Sequence, residues 1–123
     1  ERLAAKLGMP TSNGLEKLEQ RHDRAGMQDA LRASGVPAAE CKSGDIRRLV
    51  AWAAQRNKWP LVAKPTGGAG SDGVFVCHNK QDLEAAHRSI VGMRRPAGAV
   101  NSELALQEFL AGDKYVVDTA SCD

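Results

Sequence analysis

The chain has 123 residues, 42% of them apolar and 26% charged, with a formal charge of +2 at neutral pH. That length suits one compact domain, able to bury roughly two-thirds of the surface its unfolded chain exposes. So small a charge, with basic pairs only at Arg47–Arg48 and Arg94–Arg95, argues against a nucleic-acid footprint.

Three cysteines, Cys41, Cys77 and Cys122, lie far apart and form no C-x-x-C pair. No histidine stands at metal-ligand spacing from them, so they read as reduced thiols. No apolar run approaches the ~18 residues of a membrane span, and no signal-peptide pattern opens the chain. The expected compartment is the cytoplasm, with no membrane and no nucleic acid among the partners.

In chain order, Glu1–Leu7 reads as the last turns of a helix closed by Gly8 and Pro10. After a turn-rich stretch, Asp23 is placed to cap a helix carrying Met27, Ala30 and Leu31, which ends at Ser34 before Gly35 and Pro37. Val36–Lys42 is short enough for an edge strand. Ser43 or Asp45 then caps a clearer helix, in which Ile46, Leu49, Val50 and Ala53 form one face while Arg47, Arg48, Gln55 and Arg56 point outward. Trp59–Pro60 stops it.

Leu61–Pro65 and Gly73–His78 are the next two strands, and Asn79 caps a helix with Leu83, Ala86, Ile90 and Met93 inward. Arg94–Ser102 is a loop. Leu104–Leu110 and Tyr115–Ala120 read as strands flanking a turn at Ala111–Asp113. His22, His78 and His87 have no convergent partners, and Trp52 and Trp59 read as core or core-rim aromatics.

The most informative stretch is "LVAKPTGGAGSDGVFV", in which Gly68, Gly70 and Gly73 fit G-x-G-x-x-G. A dinucleotide fingerprint needs a helix straight after the glycines, but Val74–Cys77 is β-rich. A Walker loop needs a closing G-K-[ST], which is absent. Protein kinases place strand, glycine loop and strand in this order, yet their lysine follows the loop and here Lys64 precedes it. Glycines without side chains still let backbone N–H groups approach phosphate oxygens closely.

Lysine strand, glycine flap, second strand, helix and then an "EFLAG" strand resembles the ATP-grasp superfamily of carboxylate–amine and carboxylate–thiol ligases. The resemblance rests on "RHDRAGMQDALRASGVP", "WPLVAKPTGGAGSDGV" and "ALQEFLAGDKYVVD", and runs from about Arg21 to Val117. It implies an α+β subdomain with a mixed or mostly antiparallel sheet of about four strands and helices packed on one face. Residues 1–20 would be the tail of a preceding domain or a linker. Residues 21–123 would be the small, flap-bearing subdomain, ending before the metal-binding half. "LGMPTSNG" and "KYVVDTAS" are most similar to amino-acid ligases that make dipeptides or related amides.

By the same resemblance, Lys64 would reach the α- and β-phosphates of ATP. Thr66, Gly67, Gly68, Ala69, Gly70, Ser71 and Gly73 would belong to the flap, with Ser71 near the terminal phosphate. Asp72 in the same segment reads as turn chemistry pointing away from the phosphates. Gln107, Glu108, Phe109 and Leu110 would line the adenine slot. Arg24 stands where the family usually has a phosphate-contacting lysine, and Lys114 where a ribose-binding glutamate is common.

Activity would run through an acyl phosphate, with ATP, Mg2+, a carboxylate and an amine as partners and the metal ligands outside this chain. The chain alone is expected to be inactive. The alternatives are a non-catalytic nucleotide-binding or regulatory module, and a purely structural domain.

Overall fold

A computed structural model describes residues 6–8, 23–66, 73–93, 100–113 and 115–117. Among these residues, three helices and four strands follow one another as α1 (Arg24–Ala33), β1 (Cys41–Gly44), α2 (Ile46–Arg56), β2 (Leu61–Pro65), β3 (Phe75–Cys77), α3 (Lys80–Ile90) and β4 (Leu104–Glu108).

Each helix starts where a short polar side chain satisfies free backbone donors. Asp23 accepts from the N–H groups of Ala25 and Gly26 at 3.2 and 2.9 Å. Asp45 accepts from Arg48 N–H at 3.0 Å, and Asn79 from Asp82 N–H at 2.9 Å. α1 ends in a Schellman motif: Gly35, at φ +77°, donates to Arg32 O, and Val36 donates to Leu31 O, both at 3.0 Å. The end of α2 falls at Asn57, itself left-handed at φ +46°.

The strands form one sheet in the order β1-β4-β2-β3, and all its pairings are antiparallel. Cys41 lies opposite Gln107, Val62 opposite Gln107 and Val76, and Lys64 opposite Ala105. Alternation along the strands therefore sorts the side chains onto two faces. One face carries Leu61, Ala63, Cys77, Leu104 and Leu106, which pack against Leu49 and Ala53 of α2 and Leu83, Ala86 and Ile90 of α3. A fully buried leucine or isoleucine in such a layer contributes roughly 1.5–3 kcal/mol of burial free energy.

The α+β class and the four-stranded sheet agree with the sequence. Helices on one face describes α2 and α3. α1 instead lies on the opposite face, where Ala25 packs against Cys41 and Ala105. The buried side chain of α1 is Ala25, while Met27 and Leu31 stay partly exposed.

Other differences have local causes. The edge strand begins at Cys41 rather than Val36, since Val36 and Gly35 are engaged in capping α1 and Pro37 has no N–H to give a ladder. Met93 is exposed beyond the end of α3. Tyr115–Val117 is not a strand: β4 already has β1 on one side and β2 on the other, so this β-rich stretch finds no partner there. The remainder of that expected strand, 118–120, and most of Glu1–Leu7 lie outside the described residues.

Candidate functional site

The second face of the sheet is chemically unlike the first. Cys41 and Ser43 from β1, Val62 and Lys64 from β2, and Ala105 and Gln107 from β4 share it. Lys64 stands near the C-terminal end of β2, one residue before Pro65, and its Nζ donates to Gln107 Oε1 on the neighbouring strand. Burial pushes the Lys64 ammonium below the usual lysine value, and the Arg24 guanidinium pushes the same way, while Cys41 opposes them weakly. A half-buried cation with a second cation close by is a site that favours an anion.

Arg24 is the first residue of α1, and its Nε donates to Pro65 O at 3.2 Å. That bond ties the start of α1 to the point where β2 gives way to the glycine segment. Gly73 closes the segment at φ +73°, and a Cβ there would meet Pro65 Cγ at 3.2 Å and Cδ at 3.4 Å. Both the backbone angle and the approach to Pro65 thus require glycine. The two ends of the glycine segment are held together beside Lys64, as the antiparallel β2–β3 pairing demands.

Among the expected site residues, the sheet brings Arg24, Lys64 and Gln107 to one place. Thr66 follows β2 directly and Gly73 precedes β3. Gly67, Gly68, Ala69, Gly70, Ser71 and Asp72 lie outside the described residues, as does Lys114. Gln107 was expected in the adenine slot, and its side-chain oxygen is on Lys64. Phe109 and Leu110 leave the end of β4 with 44% and 66% of their surfaces exposed.

The Glu108 side chain turns to the other face. Its Oε1 accepts from Glu40 N–H at 3.2 Å and its Oε2 lies 3.5 Å from Arg56 Nη2. Arg56 also pairs with Glu40 and stacks 4.9 Å from the centre of the Trp52 ring. Arg56 therefore does not point outward as the helix pattern suggested. It falls three residues after the buried Ala53, and that spacing already put it on the sheet-facing side. Glu40, Arg56 and Cys41 are the neighbours of the site that sequence reasoning passed over.

The apolar cavity of about 180 Å3 between α2 and α3, lined by Val50, Ala53, Trp59 and Leu83 among others, is on the helix-covered side and offers none of this chemistry. Among the described residues no three His, Cys, Asp or Glu side chains gather to hold a metal ion. No helix among them is long and apolar enough to cross a membrane.

No family model matches the chain. It is 35% identical over 117 residues to the dapdiamide A synthase of Enterobacter agglomerans, covering 94% of this chain and 28% of that protein. Its structure is similar to the biotin carboxylase domain of Hydrogenobacter thermophilus 2-oxoglutarate carboxylase, at a TM-score of 0.68 and 20% identity over 89% of this chain and 24% of the other. It is also similar to D-alanine–D-alanine ligase from Bacillus anthracis, at a TM-score of 0.65 and 19% identity, covering 91% of this chain and 35% of that one. The chain thus spans about a quarter to a third of the length of these relatives. Sheet, helices and solved structures agree on the fold: the chain has the fold of an ATP-grasp subdomain.

Proposed function

We propose that the chain supplies the cationic, flap-bearing wall of an ATP site in an ADP-forming carboxylate–amine ligase. One observation carries this reading. Lys64 is held on the polar face of the sheet by Gln107, with Arg24 fastened to the strand end from which the glycine segment leaves. Two cations beside the strand end from which a glycine-rich stretch departs suit a triphosphate. The similarity to a dapdiamide A synthase and to a D-alanine–D-alanine ligase supports a ligase as the parent protein.

In this reading residues 21–123 are the small subdomain, residues 1–20 belong to a preceding domain or linker, and the activity is that of the full-length protein. A substrate carboxylate oxygen attacks the γ-phosphorus and ADP leaves. An amine nitrogen then attacks the acyl carbon of the acyl phosphate, inorganic phosphate departs, and the amine gives up a proton. Lys64 and Arg24 offset charge on the phosphates during the first step, and the glycine segment covers them. Backbone groups of Glu108–Leu110 meet the edge of the adenine, beside the apolar surface of Phe109 and Leu110. Magnesium, which the resemblance implies, finds no ligand set among the described residues.

The test is calorimetric titration of ATP into the full-length protein and its Lys64→Ala variant. Loss of one charge-assisted hydrogen bond is expected to weaken binding by about 10–150-fold. Equal affinities in the two proteins would overturn the proposal and favour a structural domain. Binding without ligase turnover across amino-acid substrates would favour a regulatory module.

A further inference from the structure

Arg56 is the last residue of α2 and is far from Lys64 in role, yet it is among the most constrained charged side chains described. Only 14% of its side chain is exposed. Its guanidinium pairs with Glu40 and with Glu108, at 3.5 Å for the latter, and lies over Trp52 one helical turn earlier. The two glutamates are themselves tied through the backbone: Glu108 N–H donates to Glu40 O at 2.9 Å, and Glu40 N–H donates to Glu108 Oε1 at 3.2 Å. The start of β1 and the end of β4 are thus joined by a reciprocal pair of bonds beyond their last ladder pair, Cys41 and Gln107.

This latch sits at the residue where the chain leaves the sheet. Phe109 and Leu110 follow at once and are exposed. Without the latch, the direction of Glu108–Leu110 would be set by the ladder alone, and strand ends fray. With it, the Glu108 side chain is fixed on the helix side by a forked, planar cation that can hold two carboxylates at once. The Glu108 backbone and the two residues after it are then aimed from a fixed point.

We propose that Arg56 is a positioning residue for the base end of the nucleotide site: through Glu108 and Glu40 it sets where the Glu108–Leu110 backbone meets the adenine edge. This rests on the reading that an adenine nucleotide binds there. Arg56 itself touches no ligand. Because it acts on the base and not on the phosphates, its loss separates the two ends of the site.

The experiment titrates ATP, GTP and inorganic tripolyphosphate into the full-length protein and its Arg56→Lys and Glu108→Gln variants. Lysine keeps the charge but lacks the planar, forked guanidinium that Arg56 offers to both carboxylates and to the Trp52 ring, and Glu108→Gln removes the ion pair while leaving an acceptor for Glu40 N–H. Both are expected to lose about tenfold in ATP affinity, as for one misplaced hydrogen bond. Their preference for ATP over GTP shrinks by a similar factor, and tripolyphosphate binds as before.

ATP affinity and base preference within about twofold of the native protein, in a folded variant, would overturn the proposal. Equal losses for ATP and tripolyphosphate would overturn it as well, as would failure of both variants to fold, which makes the latch an element of stability only. If the native protein binds no ATP, the nucleotide reading itself has failed and this inference falls with it. Native binding with unchanged variants removes the inference alone.

Discussion

The two faces of this sheet are built from alternate residues of the same four strands, and they have opposite chemistry. The helix-covered face holds Leu61, Ala63, Leu104 and Leu106, all buried against α2 and α3. The other holds Lys64, Gln107, Cys41 and Ser43, with α1 covering one end near β1. On the first face these four pack into an apolar cluster, and stability is what their side chains supply. On the second a cation is kept half-buried and is held by an amide oxygen and not by a carboxylate. That arrangement costs stability, and under the proposed function the polar face keeps it where a phosphate can use it. A buried Ser43 Oγ without a hydrogen-bond partner sits on that face too.

Breaking the comparison begins with the largest effect. Leu106→Ala, at a fully buried position, is expected to lower stability by about 2–5 kcal/mol, read as a shift in the denaturation midpoint. A loss much smaller than this would mean that the helix-covered face is not the dry core. Lys64→Met carries the opposite signature. Nucleotide affinity should fall by roughly 10–150-fold while the midpoint holds or rises, because a desolvated cation has been replaced by an apolar chain of similar length. A midpoint that falls as far as that of Leu106→Ala would show Lys64 to be part of the fold's support.

Asn79→Ala tests the helix layer more gently. Removing the acceptor for Asp82 N–H should cost about 1 kcal/mol and leave nucleotide affinity alone. The smallest effect is a pH dependence. The folded lysine loses its proton below 10.5, the usual lysine value, so between its lowered value and 10.5 the unfolded chain holds more protons. Stability from Lys64 therefore rises with pH in that window. Cys41 and Cys77, both pushed above 9.0 chiefly by burial, act with the opposite sign. Comparing native protein with Lys64→Met by denaturant titration across this range isolates the lysine. If the two curves stay parallel, its ammonium is not desolvated.

Much of the scaffold was legible because it is written in short-range signals. Asp23, Asp45 and Asn79 announce helix starts by side-chain chemistry alone, Gly35 announces a stop, and β2 occupies the residues that the run from Leu61 to Pro65 suggested. Lys64 and Arg24 were named from a resemblance, and the sheet brings them together. What could not be read depends on pairing across long stretches of chain. The register that puts Gln107 beside Lys64 joins residues 43 apart, and the Glu40–Glu108 latch joins residues 68 apart. Arg56 was misjudged because arginine was weighed by its charge, when its place three residues after Ala53 argued for the inner side. Tyr115–Val117 looked like a strand because β propensity reports fitness for a pleated surface and not the presence of a neighbour.

The strand order has a consequence for how the molecule comes into being. β4 is the last strand described in the chain but lies second in the sheet, wedged between β1 and β2. As the polypeptide leaves the ribosome, β1 and β2 must wait for a keystone made some forty residues after β2, with their ladder edges and the leucines beneath them uncovered meanwhile. Such non-local closure slows assembly and leaves nascent chains open to mispairing. Expression trials that stop translation before Leu104 should therefore yield aggregates, whereas those that run past Glu108 give the sheet its missing wedge.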